Sequence, residues 1–281
     1  MPAPRKSLDA LRRDIDALDD RIHDALLRRA ELSAAVRLAK GGDGPALRPG
    51  REAAILRRLV GRHRGALPPA VIVRLWREIL AASVRLQGPF AVAIDTGAAG
   101  RRGAELAREH FGALTPVQAE GSTALVLNAL AEGRAKVGLV PLPEDAPEEP
   151  WWRGFGIGPG ADLRIVGRLP VATTARGPMA LLVARQPFDP SGDDRGYLVL
   201  DTGAELSNAR MKAVLEASGL APTGFPAAVD DRGAGSVQLV ELAAWVGDDD
   251  PRLAAAAKAL GPSAQVRAIG GYAVPLGLPR P

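Results

Sequence analysis

SLDALRRDIDALDDRIHDALLRRAELSAAVRLAK, running from Ser7 to Lys40, is the stretch whose reading decides the fold. Leu8, Leu11, Ile15, Leu18, Ile22, Ala25, Leu32, Val36 and Ala39 follow a seven-residue repeat, which predicts one continuous helix. At 1.5 Å per residue that helix is about 50 Å long. Ser7 is its predicted N-cap, and Asp9 suits the first turn. Gly41-Gly42-Asp43-Gly44-Pro45 stops it. A helix this long with an apolar stripe is not stable alone in water, so it predicts partners. Arg29 occupies a seam position where Leu or Ile is expected. A buried guanidinium without a counter-charge costs several kcal/mol. Arg29 therefore meets an anion, snorkels to the rim, or pairs with a local Asp. Lys40 lies eleven residues on, close to three turns, and shares the face of Arg29. Arg12 lies seventeen residues before Arg29, roughly 25 Å along the axis. One small ligand cannot touch both on a single helix. It can touch Arg29 of one helix and Arg12 of an antiparallel partner.

Two shorter helices are predicted next. Pro49 to about Arg64 carries Ile55, Leu56, Leu59 and Val60 inward, and Pro69 to Leu86 carries Ile72, Leu75, Trp76, Ile79, Leu80 and Val84. Three helices, one very long, close poorly as a bundle, and an intertwined homodimer would cover the seams. From Phe90 the pattern becomes βα alternation. Strands are predicted at Phe90–Asp95, Ala135–Pro141, Leu163–Leu169 and Met179–Ala184, with helices near Ala104–Phe111 and Thr123–Glu132. Pro143 to Gly160 reads as loop. From about Pro187 the predicted elements are a strand at Tyr197–Leu200, a helix at Ser207–Ser218, a strand at Ser236–Val246, a helix at Asp250–Leu260 and a strand at Gln265–Ile269. With one more strand around Ala227–Val229, that order suggests a ferredoxin-like module.

Composition narrows the function classes. The 281 residues are 47% hydrophobic and 24% charged, an ordinary globular balance with room for real cores in two or three domains. There are no cysteines, which excludes disulfides, thiolate metal sites and a Cys nucleophile. His23, His63 and His110 show no ligand spacing, so no metal is expected. MPAPRK lacks the apolar core of a signal peptide, and no run approaches the ~20 apolar residues of a membrane span. A cytoplasmic protein is expected. Residues 1–88 hold 18 Lys and Arg against 10 Asp and Glu, a net of +8, and the remainder nets −4. The basic part has no carboxylate-free stripe, helix-turn-helix spacing or stacking aromatics, so small anions suit it better than nucleic acid.

Chemistry-bearing residues recur on all three helices: Arg48, Arg51 and Glu52 at the start of the second, and Ser83 and Gln87 four apart on the third. Singly, Ser83 reads as packing, Gln87 as a solvated end residue, and Arg51-Glu52 as a solvated first turn. Taken in order, Leu11 to Asp19, Leu26 to Leu32, Ala39-Lys40, Arg51-Glu52 and Ser83 to Gln87 resemble the AroQ-type chorismate mutases over about the first 88 residues. The resemblance implies an all-helical, domain-swapped dimer that converts chorismate to prephenate without cofactor or metal. It implies that Arg29 and the other chain's Arg12 clamp the substrate carboxylates, and that Lys40 and Gln87 donate to the ether oxygen. Glu52 would hold the ring hydroxyl, Ser83 would touch a carboxylate, and Arg51 would support the wall. Relatives often carry an acid where this chain has Arg48, which either turns outward or adds a cation.

Residues 90–188 are similar to a shortened prephenate dehydratase domain, through the glycine loop from Ile94 to Gly103 and Gly138-Leu-Val-Pro141-Leu-Pro-Glu-Asp145. The family's Thr-Arg-Phe motif is replaced by Thr173-Thr-Ala-Arg176-Gly-Pro-Met179. Residues 189–281 resemble an ACT regulatory domain at Leu198–Leu200, Gly203–Leu206 and Val266–Tyr272, with Thr223-Gly-Phe-Pro226 where the second effector motif falls. An aromatic amino acid is the effector class implied. The architecture expected is therefore multidomain: an all-α three-helix mutase domain (1–89), an α/β dehydratase-like lobe (90–188) and an α+β ferredoxin-like ACT-type module (189–281). The leading function is a chorismate mutase with a non-catalytic tail that is either regulatory or structural, a scaffold that dimerises through sheet edges. Alternatives are a bifunctional mutase–dehydratase, a non-catalytic amino-acid sensor and, last, a nucleic-acid binder.

Overall fold

The computed structural model describes residues 6–39, 46–97, 100–173, 179–203, 206–231 and 235–278. Two compact units divide the chain: Met1–Ala46 with Ala82–Pro89, and Leu47–Ala81 with Phe90–Pro281.

The first unit is dominated by helix α1, Leu8–Ala39. Ser7 caps it as predicted, its Oγ accepting from the Ala10 N–H at 3.2 Å. No residue of α1 is buried. Leu8, Leu11, Ile15, Leu18, Ile22, Leu32 and Val36, the predicted seam, are each roughly half exposed (46–62%). The last turn of α3, Pro69–Leu86, completes this unit.

In the second unit, α2 (Pro49–Arg62) ends two residues earlier than predicted, with His63 as its C-cap. The buried face of α3 within this unit is Val73, Arg77, Leu80 and Ala81, while Leu75 is 50% exposed. Of the predicted face, Leu80 is buried and Trp76 packs on the same core, so only Leu75 departs from it, while Val73 and Arg77 join the buried row, the second being an arginine that a count of apolar residues overlooks. Leu56, Val73, Leu80 and Leu276 form a small core there.

The α/β part contains β1 (Val92–Asp95), α4 (Gly100–Phe111), β2 (Val117–Glu120), α5 (Thr123–Ala131), β3 (Val137–Pro141), β4 (Arg164–Leu169), β5 (Ala172–Thr173) and β6 (Ala180–Ala184). It continues with β7 (Asp194–Asp201), α6 (Asn208–Ala217), β8 (Pro222–Asp231), β9 (Gly235–Leu242), α7 (Pro251–Leu260), β10 (Gln265–Ala273) and β11 (Leu276–Gly277). One nine-stranded sheet runs β2-β1-β3-β6-β4-β10-β7-β9-β8. β1 pairs in parallel with β2 and β3. The stretch β7-α6-β8-β9-α7-β10 is antiparallel throughout in the order 10-7-9-8, the ferredoxin-like topology predicted, with the additional strand present as β8.

Side chains alternate along β7, so both sheet faces are filled. Tyr197 and Val199 join Trp152, Phe155, Leu181, Leu239 and Ile269 on one face. Leu198 and Leu200 meet Met211, Leu215, Val240 and Leu253 under α6 and α7 on the other. The loop predicted from Pro143 to Gly160 holds three short 3-10 turns, and Trp151, Trp152 and Phe155 from it are buried in the core. Its aromatic rings, not its polar residues, set its place.

Candidate active site

In the first unit three of the predicted residues come together. Arg29 is half-buried on α1, and its Nη1 donates to Ser83 Oγ. Ser33 Oγ donates back to the Arg29 carbonyl at 3.0 Å. Gln87 Nε2 donates to the Ser83 carbonyl at 3.0 Å, one turn further along the same helical path. Ser83 is 9% exposed, so the hydroxyl and the guanidinium meet largely away from water. The result is a donor-rich corner suited to a carboxylate. Arg12 stands apart from it, exposed and only loosely paired with Asp9 at 3.5 Å, three residues away on its own helix. Lys40 lies outside the described residues.

In the second unit the remaining predicted residues are all engaged. Arg48 Nη2 donates to Asp189 Oδ1 at 2.6 Å. Hydrogen bonding to that carboxylate raises its pKa beyond the ordinary arginine value. The other Asp189 oxygen accepts the Arg51 N–H at 3.0 Å, which places a negative charge on the N-terminus of α2. Arg48 thus pairs with Asp189 while its side chain stays 42% exposed. Gly50 permits this approach: a Cβ there would lie 1.8 Å from the Asp189 carbonyl oxygen. Arg57 tightens the same seam, donating to Ser191 Oγ at 2.7 Å, Asp193 O at 2.8 Å and Val274 O at 2.9 Å. The side chain of Arg51 is exposed.

Glu52 is 6% exposed and accepts from Arg77 Nη1 at 2.6 Å. Arg77, 3% exposed, also donates from Nε and Nη2 to the His110 carbonyl at 2.8 and 2.6 Å. A cation on the last carbonyls of α4 suits that end of the helix. Arg77 is not among the residues singled out from the sequence. Its signal is the one that singled out Arg29, an arginine at a seam position, here between Val73 and Leu80. Among the described residues no group of His, Asp or Glu is placed to hold a metal ion, and no helix is long and apolar enough to cross a membrane.

Residues 11–88 match the family model "Chorismate mutase type II", so this stretch is an AroQ-type chorismate mutase domain. Among curated proteins, the chain is 31% identical over 141 residues to the bifunctional chorismate mutase/prephenate dehydratase of Stutzerimonas stutzeri, covering 48% of this chain and 38% of that one. The protein of the same description from Pseudomonas aeruginosa is 31% identical over 146 residues, covering 50% and 40%. The chain thus spans about two-fifths of these relatives' length in the matched region. A solved prephenate dehydratase from Streptococcus mutans aligns with 65% of this chain and 97% of its own, at TM-score 0.47 and 11% identity.

Proposed function

We propose that this chain rearranges chorismate to prephenate as a homodimer in which each site uses Arg29 of one chain and Arg12 of the other. The observation that carries the reading is the Arg29–Ser83–Gln87 corner on a helix whose entire apolar seam is exposed. The corner offers positive charge and directed donors. The exposed seam offers the surface on which a second copy would bring its own Arg12.

The reaction asks for little else. Within one dianionic molecule the ether C–O bond breaks as a C–C bond forms, and no atom is gained or lost. A site of this kind accelerates it by holding the compact conformer and by stabilising charge that develops on the ether oxygen. Arg29 and Arg12 of the partner subunit clamp the carboxylates, with Ser83 beside Arg29. Gln87, with Lys40, donates to the ether oxygen. The chain works in the cytoplasm, and the modules at 90–188 and 189–281 serve as a non-catalytic region that responds to an aromatic amino acid.

Disappearance of chorismate on adding purified chain tests the reading. Arg29→Ala should lower kcat/KM by about 10²–10³, the scale of one lost preorganised donor. Gln87→Ala should lower kcat more than it changes KM. Arg12→Ala and Arg29→Ala chains, each inactive alone, should regain about a quarter of wild-type activity when mixed and reassembled, because half the dimers then hold one intact site. Mixed dimers that form without regaining activity would rule out the shared site. Conversion of prephenate to phenylpyruvate by the chain would overturn the non-catalytic assignment of the tail.

A further inference from the structure

Helix α2 is 14 residues long, a length at which an isolated helix is marginal in water. Its buried apolar face, Gly50, Ala53 and Leu56, therefore depends on what covers it. Part of the cover comes from α3, through Val73 and Leu80. The rest comes from the far end of the chain. Leu276 of β11 completes that small core, and Val171, Ala172 and Leu278 pack against it. β11 is held there by its pairing with β5 and by the Leu276 N–H, which donates to the Val171 carbonyl at 2.9 Å.

Polar contacts repeat the pattern around this core. Asp189 takes both the Arg48 side chain and the Arg51 N–H. Arg57 donates to the carbonyls of Asp193 and Val274, and Val274 leads directly into β11. Arg77 reaches the His110 carbonyl, and Glu78 accepts from the Ala113 N–H at 3.3 Å. Gln186 donates to the Leu47 carbonyl at 3.3 Å. Every one of these bonds joins α2, α3 or the residue leading into α2 to chain beyond the mutase stretch, which ends at residue 88. α2, and α3 as far as Ala81, are thus built into the α/β body and share its core. α3 carries this anchorage forward. It is one helix from Pro69 to Leu86, and Ser83 follows Arg77 by less than two turns. In a site that works by orientation, a misplacement of about 1 Å can cost about 10²-fold in rate.

We propose that Asp189 and Leu276, both outside residues 11–88, are positioning residues for the mutase: they seat α2 and α3 on the α/β body and, through α3, set Ser83. The positioning role rests on the chorismate mutase reading, whereas the seat itself does not.

Leu276→Ala and Asp189→Ala in the full chain test this against Leu253→Ala, which removes a side chain of the same size from the core beneath α7. The first two should speed hydrogen exchange of α2 and α3 amides at least about tenfold relative to those of β7 and β9. They should also lower kcat for chorismate at least about tenfold, with a smaller change in KM. Leu276→Met should restore both readouts. Leu253→Ala should lower the melting temperature and leave kcat of the folded chain unchanged. Asp189→Ala removes no core volume, so it decides the matter if a thermal melt shows Leu276→Ala unfolded. The proposal is overturned by α2 and α3 exchange indifferent to the substitutions, or by loosened helices with wild-type kcat. An equal loss of kcat in Leu253→Ala would trace the effect to general stability and overturn it as well. A wild-type chain that leaves chorismate unchanged would defeat the mutase reading and the positioning role together, while the exchange pattern would still decide the seat.

Discussion

Arg77 and Glu52 meet at 2.6 Å with side chains only 4% and 8% exposed, so both groups are almost fully withdrawn from water. Removing one partner of such a pair leaves a buried charge without its counterpart. Arg77→Met should therefore destabilise the chain by about 3–5 kcal/mol, whereas Glu52→Gln with Arg77→Met should recover part of the loss. Urea unfolding midpoints at constant slope measure both. His110 makes a second, pH-dependent case. Its folded pKa lies well below the usual 6.5, so below that value the unfolded chain takes up a proton that the folded chain refuses. Stability is unaffected by this group above about pH 6.5 and falls as pH drops, by up to about 1.4 kcal/mol per unit. His110→Phe should flatten the slope between pH 6.5 and 5, and an unchanged slope would remove His110 as its source. These two residues also show what a sequence can disclose. Arg29 was legible because it interrupts a nine-member apolar repeat, and Ser83 followed from its place in the motif. Arg77 and His110 acquire meaning only from each other, through a carbonyl that lies 33 residues away in the chain.

Among the elements, α1 is the one whose surface is unfinished. Its seam exposes Ile15, Leu18 and Ile22 at 56%, 53% and 57%, a row that water does not favour. If a second copy covers it, Leu18→Asp should convert a dimer to monomer in sedimentation and abolish mutase activity together. A monomeric wild-type chain with full activity would sink the shared-site reading. Helices were the legible elements: α1, α2 and α3 begin and end within about two residues of their predicted bounds, because caps and prolines mark them. Strands were less so. β2 is a four-residue edge strand with no fully buried position, which leaves almost no alternation to detect. β8 contains Pro222, Gly224 and Pro226, residues that argue against a central strand. It tolerates them because it closes the far edge of the sheet and slips register between Pro222 and Gly224 and again before Ala227.

On the scale of the second unit, the dehydratase-like and ferredoxin-like modules read from the sequence share one sheet. Their joint is narrow: β4 and β10 run parallel through the single Gly270–Ile165 pairing, beside an irregularity in the register of β10 with β7 between Ala268 and Gly271. Gly270 has φ of 104°, and a Cβ there would lie 2.0 Å from the Ile165 carbonyl oxygen. Nothing local in Gly-Gly-Tyr announces that contact, which explains why the joint was not legible while the strands on either side were. The core nonetheless crosses it, with Trp152 and Leu181 packed in the same cluster as Val199, Leu239 and Ile269. A shared core makes the two modules one cooperative unit, since neither can lose its packing without exposing the other's apolar face. Gly270→Ala combines a left-handed backbone cost of roughly 1–2 kcal/mol with a clash against main chain that has no rotamer to yield. It should lower stability by at least about 2 kcal/mol, and the loss should appear equally in both modules. Hydrogen exchange of β3 and β6 amides against those of β7 and β9 reads this directly. In the wild-type chain the slowest amides of both groups should open with the same free energy, and in Gly270→Ala both should fall together. Protection lost from one group alone would mean that the shared sheet joins two independently folding bodies.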